Sequence, residues 1–168
     1  DLAAWRDGLR GARAAETAPR HQGPQAGRPS PAALKRAQDK EDLISVPSGP
    51  RTVVLTADEL ASLVADGLEP EARRSLDSIA VTLEGDRFTL NARVRTAALG
   101  DALGPLTQLL NPYERLQLSG PAHVRSPGHV GWTPDSLMLR TFTVPPGGIA
   151  GLIRALTGAR DGTIPIVV

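Results

Sequence analysis

The sequence predicts an α+β fold: a mainly antiparallel sheet covered by two helices, with an extended N-terminal arm in front of it. Three observations predict this. Residues 79–94 alternate apolar and polar about a Glu84-Gly85-Asp86 turn. Residues 57–67 and 147–157 carry apolar side chains at helical spacing. Residues 16–50 are dense in proline and glycine. Strands that follow one another through short turns pair antiparallel, and helices in separate runs make the class α+β.

The alternation is clearest in the hairpin. Ile79, Val81 and Leu83 share one parity on its first arm. Phe88, Leu90, Ala92 and Val94 share one on the second, and Arg87, Thr89, Asn91, Arg93 and Arg95 take the other. Successive strand side chains point to opposite faces, so one face is greasy and the other wet and basic. Gly85 falls where a short hairpin loop needs a positive φ.

Composition sets the bounds. A chain of 168 residues holds one domain plus an extension. Its 40% apolar residues suffice for a core, and only 3% are aromatic, so that core is built from Leu, Val, Ile and Ala. A net charge of +1 exerts no global pull toward nucleic acid or membrane. Without cysteine there are no disulfides and no thiolate chemistry. No run of about 18 apolar residues is present to span a bilayer. The chain starts at Asp1 rather than Met and stops inside an apolar run, which raises the expectation of a longer product with a signal peptide or anchor before Asp1.

Two units follow, an arm at 1–50 and a domain at 51–168. Residues 1–15 pattern as a short amphipathic helix. Leu2, Trp5, Leu9 and Ala12 form one stripe and Arg6, Arg10 and Arg13 a second. That pairing suits contact with a membrane surface or a partner groove, and equally a frayed surface helix. Residues 16–50 are too rich in proline and glycine to order themselves, so order there implies a neighbouring protein. Ser30-Pro31 starts a short helix running to about Leu43. Its charges, Lys35, Arg36, Asp39, Lys40, Glu41 and Asp42, read as a solvated face.

Within the domain, Val53–Leu55 predicts a short strand and Thr56 to Glu59 a capping box. Leu60, Leu63 and Val64 make that helix's buried stripe, with Gly67 and Pro70 at and beyond its end. Residues 70–76 add a helical turn. The connection at 96–113 carries Leu99, Leu103, Leu106, Leu109 and Leu110 with one acid, and Gly100, Gly104 and Pro105 break it. So apolar a segment either covers the greasy sheet face or contacts a partner or membrane. A second sheet unit spans 115–144. Pro121, on its polar parity, predicts an edge strand or a bulge. His129–Thr133 is a short strand with Val130 and Trp132 inward, and Leu137–Val144 a single strand apolar on both faces. Ile149, Leu152, Ile153 and Leu156 make the stripe of the second helix, and Pro165 marks a final edge strand.

No catalytic motif is present: the phosphate loop G-x-x-x-x-G-K-[ST], G-x-G-x-x-G, H-E-x-x-H and G-x-S-x-G are all missing. His123 and His129 flank a Ser-Pro-Gly turn and could face each other, but no carboxylate or thiolate accompanies them, and His21 lies in the arm. The expectation is therefore no metal and no cofactor. Asp58 and Glu59 start a helix, Glu84 and Asp86 flank a hairpin tip, and Asp135 and Asp161 belong to turns. No carboxylate pair remains for acid–base work over a cleft. Arg93, Arg95 and Arg125, with Arg87 and Arg115, project from the polar face. They suit anionic headgroups or an acidic protein surface, or form an ordinary solvated face. With no aromatic platform beside them, nucleic acid is not the partner.

Four stretches, L-T-A-D-E-L-A-S-L-V, I-A-V-T-L-E-G-D-R-F-T-L-N-A-R-V, L-Q-L-S-G-P-A-H-V and V-P-P-G-G-I-A-G-L-I, carry a resemblance of pattern over residues 52–168. The chain resembles the membrane-anchored bacterial domains related to tubular lipid-binding proteins, including the YpmS-like and LmeA-like families. The resemblance implies a curved sheet wrapped on a helix, a non-enzymatic role at a membrane, and a lipid-sized groove. Two functions are expected from the whole. One is an accessory subunit of a larger membrane-associated complex, with the arm and Leu99, Leu103 and Leu106 against other protein subunits or the membrane surface. The other is a carrier or chaperone for a lipid or other apolar molecule, with a groove lined by Leu90, Val94, Leu99, Leu103 and Leu106. The resemblance places the protein outside the cytoplasm, whereas an arginine stripe following an anchor argues for the inside.

Overall fold

A computed structural model describes residues 23–50, 52–126, 129–157 and 164–167, with the side chains of 124–130 and 165–167 left out. Among these residues, eight strands form one sheet in an α+β arrangement. The strands are β1 (Gln25–Gly27), β2 (Leu76–Glu84), β3 (Arg87–Arg95), β4 (Tyr113–Ser126), β5 (His129–Trp132), β6 (Ser136–Leu139), β7 (Phe142–Thr143) and β8 (Ile164–Val167). Their order is β1-β2-β3-β4-β5-β8, every neighbouring pair is antiparallel, and the sheet is open and curved. β6 lies beside the first half of β4, at Leu116–Ser119, and carries β7 on its far edge. β5 lies beside the second half of β4, from Ala122 onward.

The central hairpin forms as its alternation predicts, with Gly85 at φ 62 in the turn. Its first arm departs in one respect. A bulge between Asp77 and Ala80, with Ser78 at φ 54, inserts one extra residue. The bulge switches the parity of β2, so Leu76 and Val81 are both buried although they differ in parity. On β3, Phe88, Leu90, Ala92 and Val94 are all buried and meet Leu116 and Leu118 of β4.

Pro121 does not mark an edge strand, because β4 is central. Its carbonyl accepts from Thr133 N at 3.3 Å, away from β3. Its nitrogen therefore faces the gap where β6 has ended and β5 begins, so no ladder bond is lost. β8 is an edge strand, as Pro165 predicts. The single strand expected over 137–144 is instead a tight hairpin, β6 and β7, which turns at Arg140 and Thr141. The strand expected at Val53–Leu55 does not form, and residues 52–56 are irregular.

The described residues form four α-helices, α1 (Pro31–Ser45), α2 (Ala57–Gly67), α3 (Pro70–Ser75) and α4 (Pro146–Thr157). α2 carries the expected capping box: Glu59 N donates to Thr56 Oγ1 and Thr56 N donates to Glu59 Oε2 at 2.9 Å. α4 buries Ile149, Leu152, Ile153 and Leu156. Between β3 and β4 the chain makes 3₁₀ turns over Thr96–Leu109, broken at Gly100 and Gly104, both with positive φ. Leu99 and Leu103 of these turns are buried in the core.

The boundary expected at residue 51 does not divide this structure. β1 extends the sheet by pairing with β2, and α1 packs on α2. Gly27 lets β1 approach the start of α2, since a Cβ there would lie 2.1 Å from Asp58 N. Ser30 caps α1 by accepting from Ala33 N, while its own amide donates to Ser62 Oγ of α2 at 3.0 Å. Ala33 and Ala37 are fully buried. Residues 25–45 are poor in apolar bulk but obtain their order from the edge of β2 and the flank of α2.

Candidate functional site

A mainly apolar concavity of about 390 Å³ lies between the sheet's inner face and the helices. Leu63 and Leu68 from α2 and the turn after it, Leu90 and Leu118 from the sheet, Trp132 from β5 and Ile164 from β8 supply much of its wall. Each wall residue is placed by its period: Leu90 and Leu118 sit on the inward parity of neighbouring strands, directly in register. Trp132 is fully buried, donates from Nε1 to Gly120 O at 3.2 Å, and meets Phe88 edge-to-face at 4.5 Å. Gly120 has no room for a side chain there, because a Cβ would lie 2.3 Å from Thr133 O.

One side of the concavity is acidic. Glu41 of α1, Asp66 of α2 and Glu69 of the α2–α3 turn border it. Burial raises the Glu41 carboxyl above its ordinary range, and the charges of Asp42 and Asp66 push it further. A short distance away Glu59 is buried yet ionised. Burial alone would raise it, but hydrogen bonds from Lys40 Nζ at 2.7 Å and from Thr56 N, with the Lys40 charge and Arg36, outweigh burial and hold it low. The charges of α1 are therefore not all solvated as expected: Lys35 and Asp39 pair on the surface, while Arg36 and Lys40 reach across to α2.

The residues predicted as contact sites separate into four groups. Leu2, Trp5, Arg6, Leu9, Arg10 and Arg13 lie outside the described residues, as does the Arg125 side chain. Leu99 and Leu103 are core and offer no surface to a partner or membrane, because the 3₁₀ turns fold them under α4 and the sheet. Leu106 and Leu109 remain exposed. Arg93 is not free: its guanidinium makes two 2.7 Å bonds to Asp77, its register partner on β2, and lies over the Tyr113 ring. Arg93 holds the Asp77 carboxyl below its ordinary range. Arg87 likewise pairs with Asp135. Arg95 is exposed beside Arg74 and Arg154.

The groove expected from Leu90, Val94, Leu99, Leu103 and Leu106 does not form as a unit. Only Leu90 of these lines the concavity, and Val94, Leu99 and Leu103 are packed within the core. Sequence reading missed α1, the α2–α3 turn and Trp132 as walls, because each approaches the sheet from far along the chain. His123 opposes Gly131 rather than His129, and its Nε2 lies 3.3 Å from Thr133 Oγ1. Among the described residues no three His, Asp or Glu side chains converge as a metal site would require. No helix among them is long and apolar enough to cross a membrane.

No protein family, curated protein or solved structure matches the chain.

Proposed function

We propose that this protein is a non-catalytic binding protein for a small apolar molecule, held between the sheet and its helices. The observation that carries the reading is the concavity of about 390 Å³ walled by Leu63, Leu68, Leu90, Leu118 and Trp132. Small-molecule sites run from about 300 to 1,000 Å³ and are walled mainly by apolar and aromatic side chains with a few polar groups at one side. The premise for an accessory subunit was an arm unable to order itself. Residues 25–45 order against this chain's own body, so that premise loses its support over those residues.

Trp132 provides the test. In a Trp5→Phe variant it is the only tryptophan. A brominated monoacylglycerol, added below its aggregation threshold, is expected to quench it saturably, and Leu63→Phe is expected to weaken that quenching by narrowing the concavity. Quenching that never saturates, or that Leu63→Phe leaves unchanged, refutes the reading. A second reading, docking on another subunit, is favoured by Leu106 and Leu109, which stay exposed side by side on the 3₁₀ connection. Leu106→Ser with Leu109→Ser would then abolish co-purification of partners from gently solubilised membranes. Unchanged co-purification removes that reading.

A further inference from the structure

The outer sheet face carries a second concavity, of about 530 Å³, whose charged lining is entirely basic: Arg28, Arg93, Arg115 and Arg140. From it we infer a binding site for a phosphate ester. It stands on the opposite face from the apolar concavity and does not depend on it.

The register explains why the charges gather. Asp77 faces Arg93, Arg93 faces Arg115, and Arg140 N donates to Arg115 O. One carboxylate is thus followed across the sheet by three arginines, with strands about 4.8 Å apart. Like charges placed directly opposite on an antiparallel pair destabilise it. Asp77 neutralises Arg93, and Glu114 comes only within 3.9 Å of Arg140. Among the described residues the guanidiniums of Arg28 and Arg115 form no ion pair, although the Arg28 amide donates to Asp58 Oδ1 at 2.8 Å. Three carboxylates, Asp58, Asp77 and Glu114, against four guanidiniums still leave an excess of positive charge concentrated in a concave surface.

Backbone conformation supplies an independent reason. Ser78 and Arg140 are the non-glycine residues with positive φ among the described residues, at 54 and 57. Both line this concavity. Ser78 occupies a bulge and Arg140 the first place in a two-residue hairpin turn, positions where glycine is the usual occupant. A side chain in the left-handed region costs about 1–2 kcal/mol. Such strain concentrates at functional sites, and here it retains a hydroxyl and a guanidinium beside one concavity.

The guanidinium fork matches phosphate oxygens in paired hydrogen bonds, and Asn91 and Gln117 on the same face supply neutral amides. A lipid headgroup and a soluble metabolite both present this chemistry. The test therefore has two arms: glycerol 3-phosphate by titration calorimetry at low salt, and co-sedimentation with phosphatidylglycerol vesicles against phosphatidylcholine vesicles. The Arg115→Gln/Arg140→Gln protein is expected to lose about tenfold in affinity in at least one arm, as removal of charge-assisted bonds implies. Arg74→Gln, an exposed arginine on α3, should change it less than twofold. Arg115→Lys keeps the charge but loses the fork, and should weaken binding severalfold even if the double variant fails to fold. Binding to glycerol 3-phosphate identifies a soluble ester, and binding to phosphatidylglycerol vesicles alone identifies a membrane headgroup. Wild-type protein that binds neither, or an Arg74→Gln loss equal to that of the double variant, overturns the inference.

Discussion

Replacing Glu59 with glutamine separates two roles that one side chain performs. The carboxylate is 2% exposed, accepts from Thr56 N at 2.9 Å, and pairs with Lys40 at 2.7 Å and Arg36 at 3.4 Å. Glutamine keeps the acceptor that closes the capping box and loses only the charge. Hydrogen bonds to charged groups contribute about 1.5–3 kcal/mol. Lys40 is 30% exposed and Arg36 54%, so both cations can return to water and the low end applies. Glu59→Gln should therefore cost about 1.5 kcal/mol. Glu59→Ala also removes the cap, worth about 1 kcal/mol more. The sign of the pH dependence is fixed by the depressed carboxyl. Its stabilisation is fully present above the unfolded value of 4.5 and is lost as pH falls through the lower folded value. Urea unfolding followed by circular dichroism at pH 7 and at pH 3 reads both. Equal losses for Glu59→Gln at the two pH values, or a loss within about 0.3 kcal/mol of zero at pH 7, would refute the buried ion pair as the link between α1 and α2.

Three further outcomes are expected. Glu41 has the opposite sign from Glu59: its ionised form is disfavoured in the fold, so its contribution worsens as pH rises through its raised value. Asp66→Asn should lower the Glu41 titration midpoint measured by NMR, and an unmoved midpoint would show that Asp66 does not act on it. Gly120→Ala should cost at least about 2 kcal/mol in urea, because the new methyl meets the Thr133 carbonyl and the Pro134 backbone rather than a side chain that can move. Along the 3₁₀ connection, Leu99→Ala should lose about 2–5 kcal/mol and Leu106→Ser less than about 0.5 kcal/mol, by the same unfolding assay, since one is core and the other exposed.

Much of the fold was legible in local sequence. The Thr56–Glu59 capping box, the parity of Phe88 to Val94, the stripe of α4 and the left-handed Gly85 each depend on residues within one or two turns of chain, and each formed as read. Sequence by itself determined the class, the antiparallel pairing and which strand face is apolar. The tertiary structure decided what those elements do to one another. The extra residue at Ser78 resets parity through the β2–β3 register, which local alternation cannot report. Asp77 neutralises Arg93 and Lys40 reaches Glu59 across 16 and 19 residues, so charges that look solvated in sequence are paired in the fold. Residues 25–45 lack the apolar bulk to hold a shape, and the free edge of β2 and the flank of α2 supply contacts they cannot make among themselves. Helix caps and turns are encoded by near neighbours, whereas cavities, ion pairs and sheet edges come from segments that meet only after the chain has folded.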